Sequence, residues 1–498
     1  HALAHTDDYA PVERALADVS PQLAPSLETI YRDTAALESH RRLAASLLLS
    51  YCSDDAGKLL QLLLDAEPWQ LKLILAGLSP KQRDAMLDSL RRVAAGPPPK
   101  RHETLGDLAP EQTANAAIAL VRWGELDAAR SVLLERPDRS ARSYFIDRYR
   151  GAGLEPQILV SWANTEPDPF VQAALLLTLG TFATADLPAP VRLAAEQTLD
   201  AALRERPSAG AWAAAYWVRR SWQLTERGQP IARQSHSLGT WLQESSIDGA
   251  WRRGPNDHVL LTQEAELLGA RTGVRPFALA VFETTIGQYR QYDPRWRSSG
   301  GDSDDPECPV YLISGDAARG YCNWLSQQAG LPESQWCYMA SENRPDAWEP
   351  TADFLDRAGF RLPTEAEWEY ACRAGSTTAW HFADQDALLP NFAWCPRNSP
   401  HGWKHPVGLK MPNDFGYFDL YGNADEICED TPGRRYPDKP PGYFVTRGGA
   451  AGDLVSPGSG GGNFGAAEGG DLATGFRVCQ TVFPQDTRPG ASTAGEEP

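Results

Sequence analysis

The sequence predicts a multidomain protein, an all-α first half joined to an α+β second half. Three observations carry this. Up to about residue 222, apolar residues recur at three- and four-residue spacing in segments rich in Leu, Ala and Arg, as in LLQLLLDAEPWQLKLILAGL from Leu59 to Leu78. After about residue 256 the composition turns to Trp, Tyr, Phe, Gly and Pro, in short segments with few long helices. Between them Gly228, Pro230, Gly239, Gly249, Gly254 and Pro255 punctuate a polar stretch. The expected division is a helical region 1–222, a linker 223–255, an α+β domain 256–482 and a disordered, Pro-, Thr- and Gly-rich tail 483–498. At 498 residues the chain is also too long for one ordinary core.

Composition removes several classes of function. An apolar fraction of 42% with 16 Trp is that of a globular protein. The net charge of −18 argues against nucleic acid as a main partner. No apolar run approaches the ~18 residues a membrane span requires, and the longest candidate is the short stretch from Ala173 to Phe182. The cysteines (Cys52, Cys308, Cys322, Cys337, Cys372, Cys395, Cys428 and Cys479) form no CxxC pair and no metal-ligand spacing. They suit a reduced, cytoplasmic protein, with one or two disulfides in the second half as the alternative. A chain opening at His1 rather than Met is expected to be a fragment or a processed product.

In the first half a loose repeat sets the elements. Asp138-Arg-Ser-Ala-Arg-Ser-Tyr-Phe-Ile, Asp168-Pro-Phe-Val-Gln-Ala-Ala-Leu-Leu and Pro207-Ser-Ala-Gly-Ala-Trp each pair a Pro- or Asp-bearing turn with the start of a helix. Such spacing suits helix pairs stacked as a HEAT-like solenoid, or a compact helical bundle. Gly96 and Pro97-Pro-Pro break the pattern.

In the second half, Val259 to Leu268 and Phe277 to Phe282 read as strands, and Thr285 to Tyr292 as a helix. A second helix follows Ser314, with Ala318, Tyr321, Cys322 and Leu325 on its apolar face and Gly330 at its end. The best-specified helix lies in FRLPTEAEWEYACRAG, from Phe360 to Gly375. Thr364 is the N-cap, Glu367 completes a capping box, Trp368 faces inward and Gly375 supplies the stop. Beyond Phe382 loops and short strands are expected, ending in strands at Phe444 to Arg447 and Phe476 to Val482.

These segments form an ordered series with FALAVFETTIGQYRQY, CPVYLISGDAARGYCNWLS, NFAW, PVGLKMPNDFGYFDLYGNADEICED, TRGG and GFRV. Together they resemble the formylglycine-generating-enzyme, or sulfatase-modifying-factor, family. That resemblance implies a C-type-lectin-like fold over about residues 256–482. The first half resembles the helical region that precedes this domain in planctomycete-type proteins, which often carry a serine/threonine kinase domain further upstream. The family's calcium ligands map onto Asp419 and Glu426 through side chains and onto Gly422 and Ala424 through carbonyls; hard oxygens on a tight loop suit Ca²⁺. Asp425 and Ile427 replace the family's usual tryptophans here, which is expected to loosen the loop. Asn391 and the Phe392 carbonyl match half of a second calcium site.

The family's oxidase members hold copper through two cysteines between the RGG and GFR motifs, soft ligands suited to Cu(I). Here Ala450 to Thr474 contains no cysteine; Cys428 and Cys479 flank it. No copper and no catalytic residue are therefore expected. The related iron-dependent sulfoxide synthases need a His-rich helical partner, whereas the first half has only His1, His5, His40 and His102. The segment 450–474 instead reads as a ligand-binding surface loop, with Asp453, Ser456, Ser459, Asn463, Phe464, Glu468 and Asp471 as its candidate contacts. Asp414-Phe-Gly and the glycines before Asn463 lack the context of kinase or phosphate-loop machinery. His401 and His405 with Cys395 hint at zinc, but the flanking Pro400, Gly402 and Pro406 favour a solvated loop.

The expectation is a non-catalytic protein that binds a ligand, peptide or protein partner, the sensor or regulatory half of a bacterial signalling or defence protein. The alternatives are a copper-dependent oxidase using cysteines outside the usual segment, and a lectin-like receptor diversified by a retroelement.

Overall fold

The structure, a computed structural model, describes residues 20–96, 109–205, 208–224, 251–253, 259–263, 275–297, 304–342, 344, 347–430, 443–451, 463–466 and 474–483. It divides into two units, His1–Ala201 with Phe382–Asp384, and Ala202–His381 with Gln385–Pro498. The expected linker is described only at 223–224 and 251–253, and the tail beyond Phe483 lies outside the described residues.

The first unit is helical, as its periodicity implies. It runs α1 (Ser20–Arg32), α2 (Glu38–Tyr51), α3 (Ala56–Asp65), α4 (Pro68–Gly77), α5 (Pro80–Ala95), α6 (Pro110–Arg122), α7 (Leu126–Leu133), α8 (Ser140–Arg148), α9 (Pro156–Thr165) and α10 (Pro169–Gly180). The unit boundary falls inside α11 (Ala189–Glu205). Proline opens α4, α5, α6, α9 and α10, where its missing N–H would have had no intrahelical partner. The acidic turns do what their position implies. Asp138 accepts from the Ser140 N–H at 2.8 Å, and Asp168 caps α10 through the Phe170 N–H at 2.9 Å. One buried amide ties three helices together. Asn115 on α6 donates to the Leu64 and Ala66 carbonyls at the end of α3, at 2.9 and 2.8 Å. Its own oxygen accepts from Arg148 of α8 at 3.0 Å, and that Arg also reaches the Ala66 carbonyl. Carbonyls that α3 leaves open are thereby satisfied from its neighbours.

After the end of α11, the second unit contains α12 (Ala209–Ser221), a helix whose periodicity places it with the helical half. Its main sheet has five strands in the order β1 (Trp251–Arg253), β2 (Val259–Gln263), β3 (Phe277–Ala280), β11 (Cys479–Thr481) and β6 (Phe360–Arg361), every pairing antiparallel. A second sheet is ordered β10 (Thr474–Gly475), β7 (Asp425–Ile427), β8 (Tyr443–Arg447) and β9 (Asn463–Ala466), with β10 and β7 parallel. A small hairpin pairs β4 (Tyr338–Ala340) with β5 (Trp348–Pro350). Segments that lie far apart in sequence therefore meet, Cys479 pairing with both Leu279 and Arg361.

Helices α13 (Ile286–Tyr292) and α14 (Gly315–Gln328) lie where expected, capped by Thr285 and Ser314. Between them and the sheets lies a core of Ile286, Tyr289, Tyr321, Phe360 and Phe476. Helix α15 (Glu365–Arg373) shows the expected capping box. Its stop is shared: Ala374 is already left-handed at φ 48°, before Gly375 at φ 83°. Glu367 also does more than cap. It forms a two-pronged pair with Arg361 of β6 at 2.6 and 2.7 Å, and that guanidinium outweighs burial to hold the Glu367 carboxyl below its usual range. Among the described residues, no helix is long and apolar enough to cross a membrane.

Candidate functional site

The site is built on the turn between Asp419 and Glu426. Asp419 and Asn423 are left-handed at φ 54° and 62°. Gly422 combines φ +73° with a close approach, since a Cβ there would lie 1.8 Å from the Trp394 carbonyl oxygen, so only glycine fits. This shape turns the polar groups of the loop inward. Glu283, just beyond β3, receives them, accepting the Asn423 side chain at 2.7 Å and the Ala424 N–H at 3.0 Å. Glu426, on β7, is fully buried. Arg477 grips it with Nε at 2.6 Å and Nη2 at 2.5 Å, and the Trp368 indole donates to it at 2.7 Å. Arg477 also donates to the Ala280 and Phe418 carbonyls, both at 3.0 Å. Asp419 accepts the Gly408 N–H at 2.7 Å through Oδ2, while its buried Oδ1 has no hydrogen-bond partner.

Three buried carboxylates thus face one buried guanidinium. Burial raises the Glu283 carboxyl well above its ordinary range, and the charges of Asp419 and Glu426 raise it further. Burial likewise raises Asp419 to about 6, against the pull of the Gly408 N–H and Arg477. The Arg477 guanidinium is held above its ordinary range because Glu426 outweighs its burial.

Of the residues implied as calcium ligands, Asp419, Gly422, Ala424 and Glu426 share this turn and strand. Asn391 and Phe392 sit on the short helix α16 (Leu389–Phe392), two residues before the Trp394 bridge to Gly422, and the Asn391 carbonyl accepts from the Met411 N–H. The set fits a cation in part. Asp419 Oδ1 is open, but both oxygens of Glu426 are committed to Arg477 and Trp368. Asp425 and Ile427, which stand where the family has tryptophans, are both buried on β7, which pairs with β10 and β8. Sequence reasoning missed Glu283, Trp368 and Arg477 as parts of this cluster. The FETT and GFR motifs hold two of them, without a signal that they meet.

Residues 249–482 match the model of the family described as Sulfatase-modifying factor enzyme 1-like domain. This part of the chain is a sulfatase-modifying factor enzyme 1-like domain. Among curated relatives, the "Chaperone protein LppX" of Paenibacillus barcinonensis is 24% identical over 199 residues, covering 35% of this chain and 71% of the relative. The "Formylglycine-generating enzyme" of Mycobacterium tuberculosis is 37% identical over 112 residues, covering 20% of this chain and 34% of the enzyme. The chain therefore spans about a third of that enzyme's length. Among solved structures, "Treponema denticola variable protein 1" aligns at 24% identity with a TM-score of 0.34, over 42% of this chain and 85% of that one.

Within the sulfatase-modifying factor enzyme 1-like domain, the flanking cysteines are enclosed by protein. Cys428 and Cys479 are fully buried, and burial holds both thiols well above their ordinary range. All eight cysteines are buried. Of the candidate ligand-loop residues, Asp453, Ser456, Ser459, Glu468 and Asp471 lie outside the described residues. Asn463 and Phe464 are not loop residues: they form β9, opposite Thr446 and Val445. His405 stacks on Trp394 at 3.6 Å and contacts Ser399 Oγ at 3.0 Å, while His401 lies against Trp403. Among the described residues, no three His, Cys, Asp or Glu side chains are placed to hold a metal ion.

Proposed function

We propose that this protein is a non-catalytic, partner- or ligand-binding regulator in a bacterial signalling or defence setting, kinase-linked and cytoplasmic. In this reading a HEAT-like helical half presents a protein-binding surface and the sulfatase-modifying factor enzyme 1-like domain serves as a binding scaffold. The observation that carries it is the cysteine-free segment Ala450–Thr474, where oxidases of the family hold copper. The buried, undissociated thiols of Cys428 and Cys479 favour the same reading over a displaced copper site. A partner protein or peptide also accords with the relative named a chaperone. Cu(I) competition against a chromogenic chelator tests it. The wild-type protein is expected to hold Cu(I) no more tightly than the Cys428→Ser, Cys479→Ser double variant, and a tight site lost in that variant contradicts the reading.

Calcium at the turn is part of the proposal, with Asp419 Oδ1 and the Gly422 and Ala424 carbonyls as its core ligands. Calorimetric titration with CaCl₂ should give heat that Asp419→Asn abolishes. Equal heat from the two proteins would remove calcium from the account.

A further inference from the structure

Helix α12 makes contacts that reach the Asp419 turn by three short routes. At its start Gly210 lies against the 413–416 turn, where a Cβ would come within 2.6 Å of the Asp414 carbonyl oxygen. In its middle, Tyr216 stacks on Trp212 and meets Phe282 at 5.5 Å and Phe418 at 5.7 Å. Towards its end the Trp217 indole donates to the Leu409 carbonyl at 3.2 Å, and Arg220 pairs with Glu307 at 2.6 Å. The Glu307 carbonyl in turn accepts the Val407 N–H at 3.0 Å.

The residues that receive the helix adjoin those that build the cluster. Phe282 precedes Glu283, Phe418 precedes Asp419, and Leu409 follows Gly408, whose N–H holds Asp419. Two polar bonds in series run from the helix to the turn, from the Trp217 indole to the 408–409 segment and from that segment to the carboxylate.

We propose that α12 is a strap that positions the 407–419 stretch, with Trp217 as a positioning residue acting on Asp419 through Leu409 and Gly408. A change in this helix, which follows α11 after only three intervening residues, reaches the Asp419 turn with no ligand required there. The contacts named for the strap are made to Phe282, Glu307, Leu409, Asp414 and Phe418.

Amide hydrogen exchange on the full chain tests the strap. Trp217→Phe keeps the ring and removes the N–H donor. Exchange in peptides covering 407–419 should become about five-fold faster, the effect of one lost hydrogen bond, with 365–373 unchanged. Arg220→Gln should give a smaller acceleration confined to the same stretch. Wild-type exchange at 407–419 in both Trp217→Phe and Arg220→Gln overturns the strap. So does acceleration shared equally by 365–373, which marks a loss of global stability alone.

Discussion

In the helical unit, polar groups at helix ends are mostly met close by in sequence: Asp55 caps α3, Ser79 caps α5 and Asp168 caps α10, each within three residues. In the second unit they are met across the chain. Arg477 reaches back 197 residues to the Ala280 carbonyl, and Glu283 forward 141 to the Ala424 N–H. The second unit's strands are two to five residues long and cannot hold themselves, so buried pairs such as Arg361–Glu367, Arg319–Glu429 and Arg477–Glu426 fasten them. Damage should therefore stay local in the first unit and spread in the second.

The strongest way to break this contrast is Arg477→Ala. It leaves Glu426, Glu283 and Asp419 without their shared cation, and about 3–5 kcal/mol should be lost in denaturant unfolding. Loss should extend to β3, β7 and β11 together, read by hydrogen exchange. Adding Glu426→Gln should recover part of it, because one buried charge is removed with its partner. In the helical unit the matching change is Asn115→Ala, expected to lose about 2 kcal/mol by stripping donors from the α3 carbonyls. Its effect should be confined to α3, α6 and α8 in the same exchange measurement.

The smallest and sharpest test is the sign of the pH response. Asp419 and Glu283 have raised folded-state values, so the folded protein keeps protons that the unfolded chain has lost. Stability of the second unit should rise as pH falls from 7 towards 5, through the Asp419 value of about 6. Glu166 in the first unit is the reverse case: the Arg130 pair outweighs burial and lowers its value, so its contribution is lost on acidification. Melting followed separately in the two units between pH 7 and 4 should show opposite slopes, and Asp419→Asn should flatten the second unit's rise.

The same contrast explains what the sequence made legible. Helix α15 could be read because Thr364 and Glu367 act within one turn, and the starts of α8 and α10 because Asp138 and Asp168 do likewise. The order of family motifs disclosed the second domain. What stayed hidden depends on encounters at long range. Nothing local shows that Trp368 donates to Glu426 or that Glu283 receives Asn423. For α12, composition and periodicity match the helical half, while Tyr216, Trp217 and Arg220 are partnered in the second unit. The Gly375 stop was read correctly in kind, but the reversal begins one residue earlier at Ala374, a side chain no rule of local preference selects.

In the function proposed above, the scaffold is held by Arg477, Glu426 and Trp368, and the oxidase chemistry is lost with the cysteines missing between Ala450 and Thr474. Oxygen consumption by the copper-supplemented protein with a cysteine-containing peptide tests this directly. The expected result is a rate equal to copper and peptide alone. Turnover above that background, abolished by Cys428→Ser or Cys479→Ser, would contradict the account.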